Sequence, residues 1–172
     1  MKKIMFSLTI VLIALSSHAQ KDAGIAIGAD VALPIGDFKT ITSFGYGAHG
    51  EYYKTFADKI VGFGQLAVRR FNGKKVSFSE DIEGYDMEDY KYPSQTLVNG
   101  IVGARYKLSN EFQVGLGIGY GSLSGGGESN GGFMLQPALV YDLEKFNISL
   151  SYNRLSNNGS IAFMNLGFSF KL

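Results

Sequence analysis

From Ile25 onward the chain alternates. Ile25, Ile27, Ala29, Val31 and Leu33 hold the odd positions, with Gly24, Ala26, Gly28, Asp30 and Ala32 between them. Successive side chains of a strand point to opposite faces, so this segment predicts a strand with an apolar side and a small or polar side. The split recurs over 44–53, 60–70, 96–106, 112–121, 133–142, 146–154 and 161–172. Residues 112–121 show it most cleanly: Phe112, Val114, Leu116, Ile118 and Tyr120 oppose Gln113, Gly115, Gly117, Gly119 and Gly121. Residues 60–70 fit least well. Ile60, Leu66 and Val68 read outward and Gln65 and Arg69 inward, while Val61 and Phe63 object, and a bulge would account for them.

The connections alternate in length. Those around 54–59, 107–111 and 142–145 are short; those at 34–43, 71–95 and 122–132 are longer; the one near 155–160 is intermediate. Short turns at one end and longer loops at the other are the plan of an outer-membrane barrel. An even strand count puts both termini on the short-turn, periplasmic side.

Which face is outside decides the class. A soluble lipocalin-like barrel keeps its apolar face inward and presents charge to water. Here the apolar face carries charge only at Arg70 and Arg154, where strands run into long loops. Its aromatic residues form two bands. Phe44, Tyr46, Tyr120, Phe133 and Tyr152 lie toward the loops; Tyr52, Tyr106, Phe112, Tyr141, Phe146, Phe168 and Phe170 lie toward the turns. Two aromatic girdles around an apolar belt match the two interfaces of a bilayer. The other face holds Asp30, His49, Glu51, Gln65, Arg69, Asn99, Arg105, Gln113, Gln136, Asp142, Asn147 and Lys171. A β-sandwich would bury such a set at prohibitive cost. The expected fold is all-β: an eight-stranded antiparallel up-and-down transmembrane β-barrel over residues 20–172, with short periplasmic turns and longer extracellular loops.

On three features the mature chain resembles the small eight-stranded outer-membrane proteins of the OmpA-barrel and OmpX type, the porin-family β-barrel proteins. They are the strand plan, the Leu33-Pro34-Ile35-Gly36-Asp37-Phe38 segment leading into Gly45-Tyr46-Gly47, and the last strand ending Phe168-Ser169-Phe170-Lys171-Leu172. That last strand is similar to the alternating aromatic signal read by the barrel-assembly machinery, with Leu172 where Phe is commoner. Phe168, Phe170 and Leu172 are therefore the expected assembly signal, and that machinery an expected partner. No peptidoglycan-binding domain follows the barrel, so the resemblance does not extend to the tether of full OmpA-type proteins.

Composition sharpens the picture. Residues 1–19 read as a secretory signal peptide: Lys2 and Lys3, an apolar stretch from Ile4 to Leu15, then Ser17-His18-Ala19 before Gln20. That apolar run is short for spanning a bilayer, and no later run of about 18 apolar residues exists, so a membrane could be crossed only by strands. Without Lys2 and Lys3 the chain has 14 basic against 15 acidic side chains, a balance that does not suggest nucleic acid. The absence of Cys excludes disulfides, thiolate metal sites and a lipid anchor on an N-terminal cysteine.

Candidate chemistry is sparse. His49 is the one histidine of the mature chain and is placed in the lumen toward the periplasmic half. Some small outer-membrane barrels are lipid-modifying hydrolases with a histidine near an active serine, but a base at that depth would be far from lipid head groups at the outer rim. A satisfied lumen residue is the favoured reading. One histidine cannot make a His-rich metal site, and carboxylates alone suit only hard ions. Gly115-Leu116-Gly117-Ile118-Gly119 lies inside a strand, and Gly121 to Gly132 lacks the Lys and following helix of a phosphate loop. The inward glycines read as relief of crowding, and the glycine-rich loop as flexible. No catalytic residue, metal site or cofactor is expected.

The lumen charges have an internal logic. Asp30 and Arg69 fall in the extracellular half, and Glu51, Arg105, Asp142 and Lys171 toward the periplasmic end. Opposite charges at matching heights suggest ion-paired plugs, since eight strands enclose a space that side chains nearly fill. The alternative is a narrow porin-like path for ions or very small polar solutes. The 71–95 connection, the longest, is the expected carrier of any recognition function. It interleaves Glu80, Asp81, Glu83, Asp86, Glu88 and Asp89 with Tyr85, Tyr90 and Tyr92. Tyrosines offer large contact area at low entropic cost, and clustered carboxylates attract a basic partner or a divalent cation; a merely solvated loop is the plain alternative. The functional expectation is a non-enzymatic protein of the outer membrane, in contact with its lipid, presenting loops to an unknown extracellular ligand.

Overall fold

The computed structural model describes residues 23–76, 90–157 and 159–172. The expected signal peptide and the loop residues Glu80, Asp81, Glu83, Tyr85, Asp86, Glu88 and Asp89 lie outside them. The elements are β1 (Ala23–Ile35), α1 (Phe38–Ile41), β2 (Thr42–Ala57), β3 (Ile60–Gly73), β4 (Lys75–Val76), β5 (Tyr90–Lys91), β6 (Gln95–Lys107), β7 (Phe112–Gly125), β8 (Glu128–Asp142), β9 (Phe146–Asn157) and β10 (Gly159–Lys171). Eight of the strands close into one antiparallel barrel in the order β1-β10-β9-β8-β7-β6-β3-β2, with β1 also paired to β2. β4 and β5 form a separate two-stranded ladder within the β3–β6 connection.

Closure satisfies every strand edge, which strands crossing lipid require because hydrocarbon offers no hydrogen bonds. The exterior is correspondingly apolar. Leu66 is 73% exposed, and Ile27, Val31, Val98, Val102, Leu116, Ile118, Leu150 and Leu166 are all exposed. A continuous apolar surface on this scale would drive a water-soluble monomer to aggregate. Aromatic rings flank the belt. At the turn end Phe112 lies 4.8 Å from Tyr141, and Phe146 lies 5.4 Å from Phe168 and 5.5 Å from Phe170. At the loop end Phe44 lies 6.4 Å from Tyr46. The fold is therefore an eight-stranded transmembrane β-barrel.

Three local expectations are corrected. The strand over 60–70 has no bulge: β3 pairs β6 without a break from Ile60↔Tyr106 to Phe71↔Gln95. Val61 and Phe63 point inward and are buried, Phe63 within the apolar cluster, so their parity is regular and only their polarity unusual. The register shifts sit at the two ends of the β2–β3 pairing, between Thr42 and Gly45 and between Thr55 and Ala57.

The other two concern loops. Residues 122–132 are not a flexible loop. β7 and β8 continue to Gly125↔Glu128, and Gly126 and Gly127, with φ of 64° and 90°, make the tight turn that joins them. Left-handed backbone at both turn residues matches the twist of a hairpin and favours glycine. Residues 34–43 likewise contract, as β1 runs to Ile35 and the short helix α1 fills the remainder.

Candidate functional site

The lumen is filled in storeys. At mid-height, adjoining strands deliver Asp30 from β1, His49 from β2, Arg69 from β3, Asn99 from β6, and Asn165 and Ser169 from β10. All are buried, and Arg69 is 0% exposed. One Arg69 terminal nitrogen stands 2.9 Å from Asp30 Oδ2. The other donates to Asn99 Oδ1 at 2.8 Å, and Arg69 Nε donates to Asn165 Oδ1 at 3.3 Å. Asn165 Nδ2 donates in turn to Asp30 Oδ1 at 3.0 Å. His49 Nδ1 lies 3.0 Å from that same oxygen, and His49 Nε2 lies 2.8 Å from Ser169 Oγ. A buried guanidinium is tolerable only when its charge is answered, and here the Asp30 carboxylate answers the charge while two amides accept from Nε and one terminal nitrogen. His49 thus belongs to the Asp30–Arg69 cluster at mid-height, one rung from Asp30, since it pairs with Gly28. That rung lies on the side of Asp30 nearer the turn end, where Ser169 also stands.

A second polar group completes this level. Gln136 of β8 donates to Asn153 Oδ1 of β9 at 3.0 Å and to Gln65 Oε1 of β3 at 3.5 Å, and Asn153 donates to Ser151 Oγ at 3.0 Å. Below it, Arg105 and Glu51 form a two-pronged pair across β3, one prong at 2.7 Å. The Arg105 guanidinium also stands 4.3 Å from the Phe63 ring centroid, a cation–π contact. At the turn end Lys171 pairs with Asp142 and donates to the Leu143 carbonyl at 2.9 Å, while Gln113 donates to Asp142 Oδ2 at 2.7 Å.

Above the mid-height cluster the filling is apolar. Phe38, Phe71, Leu97, Leu155 and Phe163 belong to one buried cluster, with Ile41 and Leu123 packed against it. Phe38 comes from α1, not from a strand. It stands edge-on to Phe71 at 4.9 Å, and Phe71 is edge-on to Phe163 at 5.2 Å. Gly36, with φ of 59°, turns the chain after β1 so that α1 folds back into the mouth. Thr42 Oγ1 then donates to the Phe38 carbonyl at 2.6 Å, a buried tether. Sequence reasoning missed this storey, although Phe71, Leu97, Leu155 and Phe163 occupy inward positions by the same parity.

Ser169, His49 and Asp30 stand in the order of nucleophile, base and orienting acid. They stand in a close-packed part of the lumen. A Cβ built at Gly28 would come within 2.6 Å of the His49 ring and one at Gly167 within 2.9 Å of Asp30, which is also engaged by Arg69 and Asn165. Among the described residues no group of three or more His, Cys, Asp or Glu could hold a metal ion. Phe168, Phe170 and Leu172 form an exposed outward row at the end of the chain. Of the loop residues, Tyr90 and Tyr92 are described, their rings 5.0 Å apart, and Val76 pairs with Tyr90 so that the β4–β5 ladder leads into the 77–89 segment.

No protein-family model matches the chain, and no curated protein matches it in sequence. Solved structures do match its fold. Ail, the attachment invasion locus protein of Yersinia pestis, superposes with a TM-score of 0.56 at 14% identity, covering 88% of this chain and 98% of that one. Ail in complex with the heparin analogue sucrose octasulfate gives 0.59 at 17% identity, with the same coverage. The outer membrane protein OprG from Pseudomonas aeruginosa gives 0.52 at 14% identity, covering 88% of this chain and 95% of that one. The chain has the fold of the small eight-stranded outer-membrane β-barrels.

Proposed function

We propose that the protein is a non-enzymatic component of the outer membrane, a sealed barrel that anchors extracellular loops, chiefly 71–95, as a recognition surface. The observation that carries this reading is the lumen. From the Lys171–Asp142 pair to the Phe38–Phe71–Phe163 stack, ion pairs and then rings occupy the lumen level by level. A conduit needs unfilled polar space, and a hydrolase needs room beside its nucleophile. An anchor needs neither. The likeness to Ail, named for attachment and invasion, is consistent with a surface role.

The decisive measurement is single-channel conductance of the refolded protein. A sealed barrel gives a silent bilayer; steady, large wild-type conductance would replace this reading with the narrow channel. Removing residues 79–90 tests the display role. Normal outer-membrane abundance with reduced binding to cells, matrix or basic proteins is expected, and unchanged binding, with and without calcium, would return the loop to mere solvation. Assembly through the terminal row is tested by Phe170→Asp with Leu172→Asp, which should lower membrane levels; wild-type levels would refute it.

A further inference from the structure

Four lysines gather at one place on the loop-end rim. Lys39 lies in α1, Lys74 follows β3, and Lys75 and Lys91 face each other across the β4–β5 ladder. The Lys74 backbone N–H donates to the Ile41 carbonyl at 3.0 Å, which ties this corner to α1. All four side chains are exposed, and none has an ion-pair partner among the described residues. Like charges placed opposite each other on a ladder are unfavourable, so the arrangement favours an anion nearby.

Immediately outside the barrel at this corner is an open groove of about 600 Å³. Its floor is Leu33 and Ile35 of β1, Met164 of β10 and Phe44 of β2; Lys39 and Lys74 stand on its edge. Leu33 and Met164 are direct cross-strand neighbours. The register shift between Thr42 and Gly45 leaves Ser43 and Phe44 both exposed, and Ser43 Oγ donates to the Asn72 carbonyl at 3.2 Å across the irregularity. Bulges re-aim side chains, and this one turns Phe44 to the groove. Phe44 also belongs to the loop-end aromatic girdle. Such rings mark the depth of lipid head groups, so the two lysines beside it stand at the level of lipid phosphates.

We propose that this corner binds one phosphate-bearing acyl lipid of the surrounding leaflet, its chain along Leu33, Ile35, Met164 and Phe44 and its phosphate between Lys39 and Lys74. Charge and apolarity are matched to the two ends of one amphiphile: ammonium groups attract an anionic head group and the groove accepts a chain. The proposal rests on the barrel spanning a bilayer. That premise fails separately, as failure to insert into vesicles.

The probe is dioleoyl phosphatidic acid, offered with dioleoyl phosphatidylcholine to the refolded full barrel and counted by native mass spectrometry after extraction. Oleate supplies a chain with a carboxylate, and inorganic phosphate supplies the anion without a chain. Wild type should retain one phosphatidic acid in preference to phosphatidylcholine and to oleate. Lys39→Gln with Lys74→Gln should weaken that retention about tenfold. Lys59→Gln with Lys107→Gln, an equal loss of charge at the turn end, should leave it unchanged, all variants first being shown to keep the heat-sensitive gel migration of a folded barrel. Equal retention by both double variants overturns the proposal, as does full competition by millimolar inorganic phosphate. Retention that appears only after residues 79–90 are deleted would assign the lysines to the acidic loop and overturn it equally.

Discussion

Above Asp30 the lumen is filled by rings and branched side chains; from Asp30 down it is filled mainly by amides, carboxylates and guanidinium groups. The two fillings also come from different parts of the chain. Every polar side chain paired in the lower storeys stands on a barrel strand, whereas the ring that tops the upper storey, Phe38, is supplied by a connection. Directional contacts suit the first task. A slip of one residue would turn Asp30 and Arg69 toward lipid and apolar neighbours into the lumen, so the polar network reinforces one register among alternatives that backbone bonding alone would allow. Apolar packing is less particular about direction and can close a mouth with a side chain borrowed from a loop. Register is thus held by the strands and their polar network, and the upper seal is hung from the rim.

This contrast predicts unequal responses to mutation. The largest is expected at Arg69→Ala, which leaves Asp30 buried without its cation. Breaking one side of a buried pair costs about 3–5 kcal/mol. Guanidinium unfolding in lipid vesicles should show the loss, and Asp30→Asn with Arg69→Met should recover part of it. A wild-type midpoint for Arg69→Ala would mean that the polar storey does not hold the barrel.

Next comes Phe38→Ala. Truncating a buried phenylalanine costs about 3 kcal/mol or somewhat more where the cavity cannot collapse. Because Phe38 comes from the rim, the loss should appear mainly as local opening: faster hydrogen exchange at the Phe38–Ile41 segment, with strand amides still protected. The bilayer should remain electrically silent, since the Asp30–Arg69 level still blocks the path. Conductance in this single variant would place the whole seal in the apolar storey and erase the distinction.

Arg105→Lys should have a smaller effect. Lysine keeps the charge but cannot hold both Glu51 oxygens at once or lie flat against Phe63. Losing one charge-assisted bond from the pair predicts about 2 kcal/mol. The same unfolding titration checks it, and a loss as large as that of Arg69→Ala would show the Glu51–Arg105 level to be equally critical.

The strand plan was legible because an apolar exterior facing lipid leaves period-two order along each of the eight segments between Ile25 and Leu172. The candidate site was legible in part. The signs and approximate heights of Asp30, Arg69, Glu51, Arg105, Asp142 and Lys171 follow from strand parity and position, but not that Arg105 takes Glu51 while Lys171 takes Asp142. The partners of His49 did not follow. Its link to Ser169 joins residues 120 apart in sequence, and nothing in a buried serine announces it. The upper storey was missed for another reason. Expecting a polar inward face also makes Val61 and Phe63 look like a fault in the strand, although Phe63 belongs to the buried apolar cluster and lies against the Arg105 guanidinium. The same assumption hid Phe38, whose four-residue helix is too short to leave a periodic pattern.

The smallest predicted effect tests how that loop-borne ring is held. Thr42 sits at the junction of α1 and β2, is 0% exposed, and donates from Oγ1 to the Phe38 carbonyl. Lys74 N–H fixes the same turn from the other side through the Ile41 carbonyl. Thr42→Val keeps the branched shape and removes only the hydroxyl, which leaves the Phe38 carbonyl with the Thr42 N–H alone of these two donors. A neutral hydrogen bond contributes about 1 kcal/mol net, so the global unfolding midpoint should move little. Exchange at the Lys39 and Thr40 amides should rise by about fivefold, the factor to which about 1 kcal/mol of local opening corresponds. Combined with Phe38→Ala, the Thr42→Val change should add almost nothing, because a tether has no effect once the ring it positions is gone. Full additivity of the two would mean that Thr42 stabilises β2 independently, and that α1 is held by its rings alone.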